Sequence, residues 1–83
     1  LIAQAVPADS TIKVSLWKNG NKVMAVAVNT GEAKTASIHF DFAKLGLNIG
    51  SATEYESQAA LNLSNETITL DLPRHDFKII FFE

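Results

Sequence analysis

Residues 12–28, Ile12-Lys13-Val14-Ser15-Leu16-Trp17-Lys18-Asn19-Gly20-Asn21-Lys22-Val23-Met24-Ala25-Val26-Ala27-Val28, decide the fold class. Ile12, Val14 and Leu16 alternate with Lys13, Ser15 and Trp17, the period-two pattern of a strand whose successive side chains point to opposite faces. Asn19-Gly20 between two such patterns is a strong hairpin signal, because both residues tolerate positive φ. A loop centred on Asn19-Gly20 sets Leu16 opposite Val23, Val14 opposite Ala25 and Ile12 opposite Ala27. On the other face of the same hairpin lie Met24, Val26 and Val28, beside Ser15 and Lys13. The return strand is therefore apolar on both sides.

Working outward, four further strand patterns follow. Lys34 to Phe40 directs Ala36, Ile38 and Phe40 inward and Thr35, Ser37 and His39 outward. Thr53 to Ser57 is a weaker strand with Tyr55 pointing in. Glu66 to Leu72 buries Ile68, Leu70 and Leu72, and Pro73 ends it. The last strand, Phe77 to Phe82, has Phe77, Ile79 and Phe81 on one face and Lys78, Ile80 and Phe82 on the other; its all-apolar face is the expected core face. Between strands, Asp41 is positioned to cap one helical turn and Gly46 to end it, with Phe42, Leu45 and Leu47 plugging an open end of the sheets. Residues 58–65 read as a connection. Residues 1–9 read as an N-terminal linker or extension and 10–83 as one domain. Six short strands with regular turns and no long helix predict an all-β chain, a two-layer antiparallel β-sandwich of Greek-key type.

Composition narrows the function. The chain has 83 residues, 47% of them hydrophobic and none of them cysteine, which excludes disulfides, thiol catalysis and thiolate metal sites. Seven Lys and Arg against nine Asp and Glu, with no basic run, make nucleic acid an unexpected partner. No stretch approaches the roughly 20 apolar residues needed to cross a bilayer as a helix, so no membrane partner is expected. Leu1 is not a start methionine and no signal-peptide pattern opens the chain, which reads as a C-terminal piece of something longer.

Candidates for chemistry are few. His75-Asp76 are adjacent and point apart on an extended chain, which suits a turn held by Asp76 better than a catalytic pair. His39 and His75 are the only histidines and make a poor metal site. Glu54 and Glu56 share one strand face, whereas glycosidase carboxylates flank a cleft roughly 5 to 10 Å wide. No catalytic, cofactor or metal residue is therefore assigned. Trp17 and Tyr55 are candidate carbohydrate contacts, as aromatic platforms for sugar rings. Asn62-Leu63-Ser64 and Asn65-Glu66-Thr67 match the N-glycosylation acceptor pattern.

Three segments carry a resemblance. Ile12 to Asn29 resembles the opening hairpin of the small C-terminal β-sandwich domains that follow catalytic barrels in bacterial glycoside hydrolases. Ile38-His39-Phe40-Asp41-Phe42-Ala43-Lys44-Leu45-Gly46-Leu47 resembles their next element, a strand ending in Asp before a short turn, and Leu70-Asp71-Leu72-Pro73-Arg74-His75-Asp76-Phe77-Lys78-Ile79-Ile80-Phe81 resembles their last hairpin. The resemblance implies a non-catalytic accessory domain that packs on the catalytic domain of the same parent chain, in a secreted or periplasmic enzyme, with a carbohydrate-binding module or free-standing interaction domain as the alternatives. The strands also carry more apolar residues than one intersheet core can hold. Met24, Val26, Val28, Ile80 and Phe82 are accordingly the expected interdomain contact, covered in the isolated chain by self-association or by the segment Leu1 to Val6.

Overall fold

The computed structural model describes residues 2–83. Among the described residues eight strands are formed in chain order: β1 (Ala3–Ala5), β2 (Ile12–Asn19), β3 (Lys22–Asn29), β4 (Lys34–Phe40), β5 (Ala52–Glu54), β6 (Ala60–Leu61), β7 (Thr67–Leu72) and β8 (Phe77–Phe82), with one 3-10 helix at Phe42–Leu45. All pairings are antiparallel. A three-stranded sheet has the order β1-β4-β7 and a five-stranded sheet the order β2-β3-β8-β5-β6. The two sheets enclose one core, so the chain is an all-β sandwich. Ile38, Phe40, Ile68, Leu70 and Leu72 come from the small sheet and Val23, Ala25, Ala27, Ala52, Ile80 and Phe82 from the large one, while Val14 and Leu16 are half-buried at its border.

Two of the large sheet's details depart from the sequence reading. The hairpin turns on Gly20-Asn21, because Asn19 pairs with Lys22, Val14 with Ala27 and Leu16 with Ala25. Gly20 has φ +63° and Asn21 is not in the left-handed region, the glycine-first arrangement in which a single positive φ closes a two-residue loop. The slip moves each partner by two residues, so every side chain keeps its face.

The last strand is turned over. Ile80 and Phe82 are fully buried, whereas Phe77 and Phe81 are exposed. The cause lies in the neighbour. The core face of β3 offers Val23, Ala25 and Ala27, and β8 pairs Ile80 with Ala25 and Phe82 with Val23. Large side chains thus stand beside small ones, and Phe82 closes a cluster with Phe40 and Phe42 at ring separations of 4.7 and 5.1 Å. The charge that made this face look like the outer one, Lys78, sits at its end, 3.9 Å from the buried Glu54 carboxylate.

Tyr55 also points out, with Ala52 and Glu54 inward in its place. Asp41 precedes the 3-10 helix without a side-chain cap bond, while Gly46 ends it in the left-handed conformation as expected. The cap is instead Glu66 Oε2, which accepts from the Phe42 amide at 3.0 Å. Residues 58–65 contain the short strand β6.

Of the segment read as a linker or extension, residues 2–9 are packed onto the domain. Ala3–Ala5 pair with Ile38–Phe40 as the edge strand β1. Asp9 accepts from the Thr11 amide and hydroxyl and bonds Lys34 Nζ at 2.8 Å. Residues 2–6 therefore belong to the small sheet and do not cover the outer face of the large one; Leu1 lies outside the described residues.

The crossovers 30–33 and 73–76, each carrying the chain from one sheet to the other, run side by side and are tied by Asn29. This buried residue donates through Nδ2 to the carbonyls of Glu32, Leu72 and Pro73 at 2.8, 3.1 and 3.2 Å, and its Oδ1 accepts from the Gly31 amide at 2.9 Å. Its own amide donates to the Asp76 carbonyl at 2.8 Å.

Candidate functional site: the outer face of the large sheet

The two outer faces of the sandwich are chemically unlike. On the small sheet, cross-strand pairs are polar and mutually satisfied: Thr35 with Asp71 at 2.7 Å, Ser37 with Thr69 at 2.9 Å and His39 with Thr67 at 3.1 Å. Such a face is complete in water.

On the large sheet the register assembles three apolar rows. Trp17, Met24 and Phe81 form the first, continued by Thr53; Val26 and Ile79 form the second, flanked by Ser15 and by Tyr55, whose amide donates to the Ile79 carbonyl at 2.8 Å; Val28 and Phe77 form the third, flanked by Lys13. The exposures are 53% for Trp17, 52% for Tyr55, 54% for Phe77 and 37% for Phe81, with Met24, Val26, Val28 and Ile79 half-buried between them. Tyr55 and Phe81 meet edge to face with centroids 5.4 Å apart. A shallow depression of about 320 Å³ at one corner is lined by Trp17, Met24 and Phe81, with Lys18, Asn19 and Lys22 at its rim.

Of the expected contact residues, Met24, Val26 and Val28 lie on this face, but Ile80 and Phe82 do not. Both are core residues, for the packing reason given above, and Phe77, Ile79 and Phe81 take their place. Trp17 and Tyr55, read from sequence as a separate carbohydrate platform, stand on the same face, so one surface collects both sets. The alternation of β8 was visible in sequence; which of its faces turned inward depended on the small residues of β3, a long-range fact. The flanking signal was Ala25 and Ala27, whose small volume leaves room for large neighbours on the same face.

Three of the carboxylates, Glu54, Asp9 and Asp76, are engaged in holding the fold. Glu54 is buried and does not share a face with Glu56: its carboxylate accepts from the amides of Glu56 and Ser57, with Lys78 close by. Burial alone would raise the pKa of this carboxyl; the Glu56 amide, the Ser57 hydroxyl and amide, and Lys78 outweigh it and hold it below its ordinary value. Asp9 is held well below the usual carboxylate range by Lys34 and by the Thr11 hydroxyl and amide. Asp76 Oδ1 accepts from the Phe77 amide at 2.8 Å, and His75 sits in the turn at φ +53°. Among the described residues no group of three His, Asp or Glu is arranged to hold a metal ion, and no helix is long and apolar enough to cross a membrane.

The two depressed carboxyls make acid stability a test of these contacts. Because the folded pKa lies below the unfolded one, their stabilisation is fully present above the unfolded carboxylate value of about 4 and is lost progressively as pH falls from there through the lower folded value. Thermal melts followed by circular dichroism from pH 7 to pH 2 should show a plateau down to about pH 5 and a fall below about pH 4. Asp9→Asn should lower the plateau and flatten the fall; an acid limb unchanged in that variant would show that the Asp9–Lys34–Thr11 contacts contribute nothing.

No protein-family model, curated protein or solved structure matches this chain.

Proposed function

We propose that the chain is a non-catalytic accessory domain that packs through the outer face of its large sheet against another folded domain of the same polypeptide. The observation that supports this is the contrast between the two outer faces, one a closed polar ladder and the other three rows of aliphatic and aromatic side chains. Contiguous apolar patches beyond a few hundred Å² usually mark contact surfaces. The resemblance of its hairpins to the C-terminal domains of bacterial glycoside hydrolases makes a catalytic barrel the favoured partner, and a secreted or periplasmic enzyme the favoured parent. On this reading the domain stabilises the barrel and the barrel supplies the acid and nucleophile.

A second reading has its own support. Trp17 on β2 and Tyr55 just past the end of β5 lie three strand positions apart, about 14 Å across the sheet at the usual strand spacing, with Phe81 between them. These three rings, from two adjacent rows, form a platform on which sugar rings could stack.

One experiment separates the two. Val26→Glu together with Phe77→Glu in the polypeptide that includes the neighbouring domain should lower that domain's melting temperature by several degrees and leave polysaccharide retention unchanged. Trp17→Ala together with Tyr55→Ala should do the opposite if carbohydrate is the ligand. Wild-type melting of the neighbouring domain in the glutamate variant would defeat the docking reading.

A further inference from the structure

We propose that two copies of this chain associate face to face through the large sheets, about a two-fold axis that runs parallel to the strands between β3 and β8. The arrangement comes from the row pattern. Such an axis keeps each row opposite itself and exchanges β2 with β5 and β3 with β8, as an isologous interface requires. In the first row Trp17 then stands over the partner copy's Thr53 and Met24 over its Phe81; in the second, Ser15 stands over Tyr55 and Val26 over Ile79; in the third, Val28 stands over Phe77. The two largest outer rings at the margins, Trp17 and Tyr55, each meet a small polar side chain, which is the interdigitation that sheet-on-sheet packing needs.

Charge follows the same symmetry. From Ser10 to Gly31 the chain carries Lys13, Lys18 and Lys22 and no acidic residue, so the β2–β3 margin is cationic. At the other margin Glu56 lies in the turn after β5, beside Tyr55, Phe77 and Ile79. The axis places the exposed Lys13 of one copy against the exposed Glu56 region of the other, twice per dimer. A two-fold axis perpendicular to the strands would instead oppose Lys13 to Trp17 and leave Glu56 without a cation.

Area sets the strength. Four strands at about 4.8 Å and three side-chain rows at about 7 Å outline roughly 20 by 20 Å, so the two copies together bury on the order of 800 Å². Stable complexes bury about 1,200 to 2,000 Å². The dimer is therefore expected at the weak end, forming roughly between micromolar and millimolar chain concentration, and its charged margins make it salt-sensitive. The inference rests on reading this face as a contact surface. A domain on the same polypeptide, at an effective concentration of order millimolar, would displace the second copy.

Sedimentation equilibrium of the 83-residue chain at low salt should show a rise from one to two chain masses across this concentration range. Lys13→Glu alone and Glu56→Lys alone should each weaken the association about tenfold, and the double variant should restore it. Ser15→Tyr should likewise abolish it, and Ser15→Tyr with Tyr55→Ser should recover it. A chain that stays monomeric to millimolar concentration overturns the dimer while leaving docking to a tethered domain intact. Self-association unaffected by the three single variants, or not recovered in the two double variants, overturns the stated axis.

Discussion

Asn29→Asp should unfold the chain or bring it to the edge of unfolding at neutral pH, although the two side chains have nearly the same shape. The Asn29 Nδ2 group donates to the carbonyls of Glu32, Leu72 and Pro73, and the substitution puts a carboxylate oxygen against those three oxygens. Two costs add: a charge at a fully buried position, and the buried Leu72 carbonyl left without its donor at about 1 to 3 kcal/mol, with smaller losses at the part-buried Glu32 and Pro73 carbonyls. An 83-residue domain has a total stability of only about 4 to 12 kcal/mol at typical per-residue values. The environment raises the pKa of an acid at this position, so the loss is full above the folded pKa and shrinks as pH falls and a protonated carboxyl regains a donor. Urea titrations of wild type and variant at pH 7 and pH 4 should therefore show the gap in midpoint narrowing toward acid. A variant that melts with wild type at pH 7 would mean that the crossovers do not depend on this side chain.

The second large effect is expected at Phe82. Its ring is fully buried against Phe40 and Phe42, and truncation of such a ring costs about 3 to 5 kcal/mol. Phe81→Ala, one residue away, removes a half-exposed ring whose main partner is Tyr55 and should cost about 1 kcal/mol. Chemical denaturation of the two variants measures the orientation of β8 directly. Equal losses, or a larger loss at Phe81, would mean that the strand presents its other face to the core.

That pair of residues also marks where the sequence stops being informative. Period two identifies Phe77–Phe82 as a strand, because the pleat alone creates the pattern. It does not say which side is inner when both sides are apolar, and the answer is set by Ala25 and Ala27 on a strand more than fifty positions earlier. In Lys34–Phe40 and Thr67–Leu72, by contrast, one side is polar throughout, and the inward sets Ala36, Ile38, Phe40 and Ile68, Leu70, Leu72 are legible without a partner. Tyr55 shares the difficulty of Phe81: it follows a strand of only three residues, Ala52–Glu54, and its direction is fixed by the pairing of that strand with β8. The outer apolar face was half legible, since the double-sided character of β3 announces Met24, Val26 and Val28. Its aromatic half required the topology. Ala3–Ala5 is not legible as a strand because Ala-Gln-Ala is too short for its alternation to stand out from chance; what holds it is the open edge of β4 and the Asp9–Lys34 contact.

Such an arrangement has a consequence for how the molecule can fail. β1 contributes little burial of its own, yet it covers the edge of β4 that faces away from β7. Cleavage within residues 6–11, or a transient release of Ala3–Ala5, would leave β4 with a row of free amide and carbonyl groups on a short sheet of two strands. A free edge of that kind templates the addition of another strand, and the nearest strand of suitable sequence is the β1 segment of a neighbouring molecule. The same short segment that completes the sandwich is thus its natural point of strand exchange, and shortening the connection to β2 would favour the exchanged form over the closed one.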